Sequence, residues 1–163
     1  MGSDLVHGEV LVGFAVSLAN IAIHAVMMAV LVWTAHRASH LTRTAHAKLR
    51  LIVLMWATVS VLMIAHLIEV LVWGATYELL KAVPHGDESF YFAFVNYTTL
   101  GYGDIIPAAR WRLLGPLTAM NGVLLFGWST AVMYDTLRTI VNVVPMTGTA
   151  AIVGSGKDEI QAS

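Results

Sequence analysis

The sequence predicts an all-α membrane protein with three transmembrane helices and a short re-entrant segment between the second and the third. Three observations indicate this fold class. Hydrophobic residues make up 58% of the chain and charged residues only 12%, whereas soluble domains carry roughly 25% charged residues. Three apolar runs reach the length of about 20 residues that a bilayer-spanning helix needs. Between the last two runs lies the glycine-containing stretch TTLGYGD, residues 98–104.

The three predicted spans cover residues 10–34, 51–77 and 113–134. The first and third contain no Asp, Glu, Lys or Arg, and the second is interrupted only by His66 and Glu69. Tryptophans lie near the ends of the spans, where interfacial aromatic residues belong: Trp33, Trp73 and Trp111.

Charge in the loops predicts the orientation. The link over residues 35–50 holds four basic residues and no acid: Arg37, Arg43, Lys48 and Arg50. The positive-inside rule therefore places this link in the cytoplasm. The N-terminus and residues 78–111 are then outside and the C-terminus inside. Arg112 favours the opposite orientation but is outweighed.

The layout divides the chain into three regions. Residues 1–50 hold the first span and the basic loop, residues 51–141 hold the rest of the membrane part, and residues 142–163 form a tail predicted to be disordered. The formal net charge of −1 argues against nucleic acid as a partner. The absence of cysteine excludes disulfides and thiolate metal sites.

The segment between spans two and three predicts a half-helix followed by irregular backbone. Pro84-His85-Gly86-Asp87 is a turn cluster, and Ser89 is a candidate cap for a short helix over residues 90–98. That helix is too short to span a bilayer but long enough to enter one. Irregular backbone at membrane depth is tolerated only where protein buries it or water lines it. Residues 98–104 are therefore expected to face a pore.

TTLGYGD resembles the selectivity-filter signature of tetrameric potassium channels, with Leu100 where valine is usual. The wider resemblance covers residues 51–138, as outer helix, pore helix, filter and inner helix. It is closest to small prokaryotic channels with one pore loop per chain, and it leaves the first span unexplained. It implies a homotetramer in a prokaryotic plasma membrane that conducts K⁺ passively, is not an enzyme and needs no organic cofactor.

The resemblance also assigns roles to residues. The K⁺ ions would bind to the filter residues Thr99, Leu100, Gly101, Tyr102 and Gly103. Their backbone carbonyls would replace the hydration shell of the ion, and the two glycines would permit the backbone angles. Tyr102 would point away from the pore and brace the filter, and Asp104 would concentrate cations at the outer mouth.

The support of the filter departs from the family pattern. Tyr91 and Phe92 occupy the positions of a tryptophan pair that many relatives have, so the indole donors are missing. Val95 stands where some relatives carry a glutamate, which excludes a carboxylate pair with Asp104. The candidate sources of the missing hydrogen bonds are Asn96 and Tyr97, and Thr98 completes the predicted support.

On the third span, Gly122 lies where related channels have a hinge, and Gly127 is a second candidate. Close helix packing explains a small residue equally well. A helical stripe is predicted to line the inner cavity: Val123, Phe126, Thr130 and Tyr134. Phe126 or Tyr134 could form a hydrophobic gate, and contact with lipid or another helix is the alternative for each.

Three polar residues lie inside the spans: His24, His66 and Glu69. His66 and Glu69 share one helix face at i and i+3. They are either a proton-sensitive pair or members of an interhelical hydrogen bond, to His24 or to the back of the pore helix; the second is favoured. Three other histidines are assigned to the basic loop: His36, His40 and His46. Two alternative functions remain, a haem- or metal-binding redox protein using His24 and His66, and a non-conducting regulatory channel subunit.

Overall fold

The structure is a computed structural model that describes residues 2–41 and 47–143. It is all-helical over these residues, as predicted. Four α-helices follow in order: α1 Gly2–Leu41, α2 Ala47–Leu79, α3 Ser89–Tyr97 and α4 Leu114–Val143. Two single 3₁₀ turns, Gly86–Glu88 and Ala109–Trp111, lie in the connections on either side of α3 and its following loop.

Two of the described helices are long and apolar enough to cross a membrane, over His7–Thr34 in α1 and Ile52–Leu79 in α2. They confirm two of the three predicted spans. Helix α4 has 30 residues, which is long enough to cross a membrane, but it is less hydropathic than α1 and α2 and is not among the candidate spans. Its interior carries the buried polar residues Thr118, Asn121 and Ser129. The third span therefore stays a prediction, and these polar residues lower its apolar character.

Helix α3 packs between α2 and α4, and α1 packs against the other side of α2 and α4. The largest group of buried residues joins α2 to α3 and includes Trp73, Tyr77, Phe92 and Tyr97. Trp73 is fully buried, and its indole Nε1 donates to Asn121 Oδ1 over 3.0 Å. The prediction that Trp73 lies at the membrane interface was therefore wrong, because α4 covers this face of α2.

Helix α1 is fixed to the N-terminal end of α4 by a carboxylate. Oε2 of the buried Glu9 accepts a hydrogen bond of 2.9 Å from the backbone amide of Leu113, next to the first residue of α4. The first turn of a helix has amides without partners inside the helix, and a negative charge there is favourable. The first span is thus packed onto the rest of the chain.

Several predicted boundaries change. Ser89 is the first residue of α3 and not its cap; its buried hydroxyl has no hydrogen-bond partner, and a 3₁₀ turn leads into the helix. The predicted loop at 35–50 is shorter, since α1 continues to Leu41 and α2 begins at Ala47. His46, the side chains of His36 and His40, and the tail from residue 144 lie outside the described residues.

Candidate functional site

The loop of residues 98–103 starts where α3 ends, and its first amides turn back onto that helix. The amides of Thr98, Thr99 and Leu100 donate to the carbonyls of Phe94, Asn96 and Val95 over 3.0, 2.9 and 2.9 Å. These bonds satisfy carbonyls that the end of a helix leaves unpaired. Among the described residues, none of the carbonyls from residue 98 to residue 103 accepts a hydrogen bond. Their oxygens remain available as ligands.

The backbone of this loop alternates in a way that regular strands and helices do not. Thr99, Gly101 and Gly103 have positive φ angles of 62°, 56° and 76°, whereas Leu100 and Tyr102 between them do not have positive φ. Alternation of this kind turns successive carbonyls toward the same side instead of opposite sides. Glycine adopts positive φ without cost, but a β-branched threonine does so only when its surroundings hold it.

The loop lies at the surface of the single chain. Residues 99–104 are all exposed, and the side chains of Leu100 and Tyr102 are 57% and 66% exposed. A brace formed by Tyr102 would therefore need partners outside its own chain, and its role stays a prediction. Exposed apolar side chains of this kind are typical of a contact surface.

A hydrogen bond from α3 replaces the missing indole donors. The hydroxyl of Tyr91 donates to Oδ2 of Asp104 over 2.7 Å and joins the N-terminal end of α3 to the end of the loop. This bond raises the pKa of the Tyr91 phenol above its ordinary value, because the carboxylate of Asp104 favours the protonated hydroxyl. Tyr91 was one of the residues predicted to support the filter, and that role stays a prediction.

Replacing Tyr91 by phenylalanine removes this donor and keeps the ring. We expect the amides of residues 100–104 to exchange their hydrogens several-fold faster in Tyr91→Phe, because Asp104 no longer holds the end of the loop. Hydrogen exchange of the chain in micelles measures the change. The same increase in Asp104→Ala and in the double variant would assign the effect to this bond, whereas additive effects would contradict it.

The other predicted supports have different roles. Asn96 donates to the carbonyl of Phe92, one turn earlier in its own helix, over 2.8 Å and so does not support the loop through this bond. Thr98 likewise donates to the carbonyl of Phe94 over 2.8 Å. Phe92 and Val95 are buried in the packing of α3. The ring of Phe92 meets that of Tyr77 edge-on at 4.9 Å.

Tyr97, the last residue of α3, is anchored in a buried polar cluster formed by His24, His66, Glu69, Tyr97 and Ser129 (the base cluster). The Tyr97 hydroxyl donates to Oε2 of Glu69. Nδ1 of His24 lies 2.7 Å from Oε1 of Glu69, and Nδ1 of His66 lies 3.0 Å from Oε2. Nε2 of both histidines faces the Ser129 hydroxyl, at 3.3 Å for His24 and 2.9 Å for His66. The favoured interpretation, an interhelical hydrogen bond to His24 and to the pore helix, is confirmed.

The base cluster leaves no space for a haem between His24 and His66. Their ring centroids are 5.4 Å apart, and both rings already contact the same two side chains, Glu69 and Ser129. A macrocycle between the rings would have to displace both of these partners. A response of His66 and Glu69 to protons stays a prediction.

A second polar link joins α1, α2 and α4, one turn closer to the N-terminal end of α1. Nδ2 of Asn20 donates to the backbone carbonyl oxygen of Glu69 over 3.2 Å and to the side-chain Oδ1 of Asn121 over 3.1 Å. Sequence reasoning missed Asn20, Asn121, Ser129 and Glu9. A signal was present for the two amides, because an asparagine inside an apolar span needs a hydrogen-bond partner.

Gly122 permits a close approach between α4 and the end of α3. A Cβ atom at this position would lie 2.1 Å from the carbonyl oxygen of Tyr97, a distance that no real contact has. Gly127 has no such neighbour, since nothing lies within 4 Å of its Cβ position. α4 continues as one helix through both glycines. The packing interpretation therefore explains Gly122, and a hinge at either position stays a prediction.

The predicted inner stripe lies on an exposed face of α4: Val123, Phe126, Thr130 and Tyr134. Tyr134 is 68% exposed and Phe126 is 38% exposed. The centroid of the Phe126 ring lies 4.4 Å from that of His66 and 5.4 Å from that of Tyr97. Phe126 therefore contacts the base cluster from the side of α4. Its role as a gate, and that of Tyr134, stay predictions.

Comparison with known proteins gives one family match. Residues 65–139 match the family model described as "Ion channel". No curated protein and no solved structure matches the chain. The matched residues contain the C-terminal part of α2, all of α3, the exposed loop and most of α4, and α1 lies outside the match.

Proposed function

Because residues 65–139 belong to an ion channel pore family, we propose that the chain is the subunit of a potassium-selective channel. Four identical chains surround one axis, and each contributes one loop of residues 99–103 to the filter. α4 is the third transmembrane helix and lines the inner part of the pore. The N-terminus and Asp104 lie outside, and the C-terminus lies in the cytoplasm. K⁺ flows passively down its gradient.

The observation that carries this proposal is the backbone of the loop. Positive φ at Thr99, Gly101 and Gly103 alternates with other angles at Leu100 and Tyr102, and the carbonyls lack hydrogen bonds among the described residues. Rings of backbone carbonyls replace the hydration shell of K⁺ in potassium filters. The alternating φ angles distinguish this loop from an ordinary exposed turn, whose carbonyls can also stay unpaired because water solvates them.

Assembly into a tetramer follows from what one chain lacks. A single loop presents carbonyls from one side only, whereas a dehydrated cation needs oxygens on all sides. The exposure of Leu100, Tyr102 and the inner stripe in the isolated chain agrees with contacts supplied by other copies. Heterologous contacts around a closed ring are the usual way to make such an assembly.

Flux through liposomes that contain only this chain tests the proposal. We expect K⁺ flux that greatly exceeds Na⁺ flux, and we expect Gly103→Ala to abolish the preference because alanine is strained at a φ of 76°. The matched control is Gly86→Ala, since Gly86 has no positive φ and nothing within 4 Å of its Cβ position. Equal K⁺ and Na⁺ flux in the wild type would contradict potassium selectivity. No flux at all would favour the regulatory subunit.

A further inference from the structure

We propose that His24, His66 and Glu69 form a binding site for one divalent transition-metal ion per chain, of the Zn²⁺ class. Each residue offers one ligand atom, and these atoms lie within 4.8 Å of one another. This site goes beyond the proposed conduction of K⁺, which uses only the loop carbonyls. It joins α1 to α2 directly beneath the end of α3.

The residue types select the kind of ion. Two imidazole nitrogens and one carboxylate oxygen suit Zn²⁺ and its neighbours, whereas Mg²⁺ and K⁺ prefer oxygen ligands alone. With metal–ligand bonds of about 2.0–2.2 Å, tetrahedral ligand atoms are about 3.3 Å apart, so the side chains need to close by at most about 1.5 Å. The Tyr97 hydroxyl lies 3.0 Å from Nδ1 of His66 and is within reach as a fourth ligand.

The cluster is also short of one positive charge. Glu69 and Ser129 together make five contacts with the two imidazoles and Tyr97. Each contact needs one proton, but two neutral imidazoles, one phenol and one hydroxyl supply four when Glu69 is ionised. Glu69 is fully buried, and a buried carboxylate requires a compensating cation. A proton or a metal ion can complete the cluster.

The surroundings provide orientation and access. Ser129 faces Nε2 of both histidines and can hold the rings in place, as outer partners of metal-binding histidines commonly do. His24 and Glu69 are fully buried, but the His66 side chain is 12% exposed. His66 lines an apolar cavity of about 360 Å³ together with Tyr97, Thr98 and Phe126. The His66 ring therefore reaches the surface of the single chain through this cavity, whereas His24 and Glu69 lie behind it.

Zn²⁺ titration of the tag-free full chain in detergent micelles tests the site by calorimetry. We expect one Zn²⁺ per chain, with affinity reduced more than 100-fold in His24→Gln and in His66→Gln, because loss of an outer partner alone costs about 10–100-fold. His7→Gln and His85→Gln are matched controls, since both histidines are exposed. A variant with His36, His40 and His46 all replaced by glutamine should retain the site. Mg²⁺ should not bind.

The wild-type chain provides a second measurement that needs no variant to fold. X-ray absorption of the Zn²⁺-bound protein should show two imidazoles and one carboxylate around the metal, and Zn²⁺ should raise the Tm by linkage. Absence of binding, binding that survives His24→Gln, or binding lost in the triple loop variant would overturn the proposal.

Discussion

Replacing Gly122 by alanine is expected to destabilise the folded chain and to abolish K⁺ flux. The new Cβ atom would lie 2.1 Å from the carbonyl oxygen of Tyr97, which belongs to the backbone and cannot rotate away. Either α4 or the end of α3 must move, and overpacking of this kind costs about 1–3 kcal/mol. Because Tyr97 immediately precedes the loop, any movement also displaces residues 98–103.

The matched control for this variant is Gly127→Ala, five residues further along the same helix. Nothing lies within 4 Å of that Cβ position, so alanine should stabilise the helix by roughly 1 kcal/mol. Thermal unfolding in micelles measures stability, and K⁺ flux from liposomes measures conduction. If Gly122 acts only as a hinge, Gly122→Ala will keep the wild-type Tm and change only the flux, which would contradict the steric account.

The helices could be predicted from the sequence because their signals are local. Apolar runs of bilayer length gave α1 and α2, and the i, i+3 spacing placed His66 beside Glu69. The backbone angles of the loop could be predicted at Gly101 and Gly103, because glycine adopts positive φ without cost.

The contacts between helices could not be predicted, because they depend on distances that no local pattern encodes. His24 was a plausible partner of Glu69, but its position in the sequence does not tell which face of α1 meets α2. The bond between Tyr91 and Asp104 depends on how the loop returns to the outer end of α3. Likewise, the role of Gly122 is set by how closely α4 approaches Tyr97.

Glu69→Ala is expected to cause the largest loss of stability of any single substitution in the base cluster. The Glu69 carboxylate accepts from Tyr97 and pairs with Nδ1 of both His24 and His66. Alanine leaves these three groups buried without their shared acceptor. A buried donor left without its acceptor costs about 1–3 kcal/mol, and Glu69→Ala leaves three such groups.

Loss of Glu69 is expected to affect more than its immediate surroundings, because its carboxylate joins α2 to α1 and to α3. The carboxylate holds α1 through His24 and the end of α3 through Tyr97, so its loss frees the residue that precedes the loop of residues 98–103. We therefore expect K⁺ flux to fall together with the Tm in Glu69→Ala. Glu69→Gln should be milder, because its amide keeps one acceptor oxygen and an imidazole can change tautomer to accept from the new N–H.

Unfolding in micelles with a chelator present measures these effects on the metal-free chain. The matched control is Glu78→Ala, because Glu78 lies on the same helix and is exposed; its Tm should stay close to that of the wild type, since surface substitutions usually change stability by less than about 0.5 kcal/mol. A Tm for Glu69→Ala equal to that of Glu78→Ala would contradict the view that the base cluster holds the end of α3 in place. A lowered Tm with normal K⁺ flux would show that the cluster attaches α1 to the other helices but does not affect conduction.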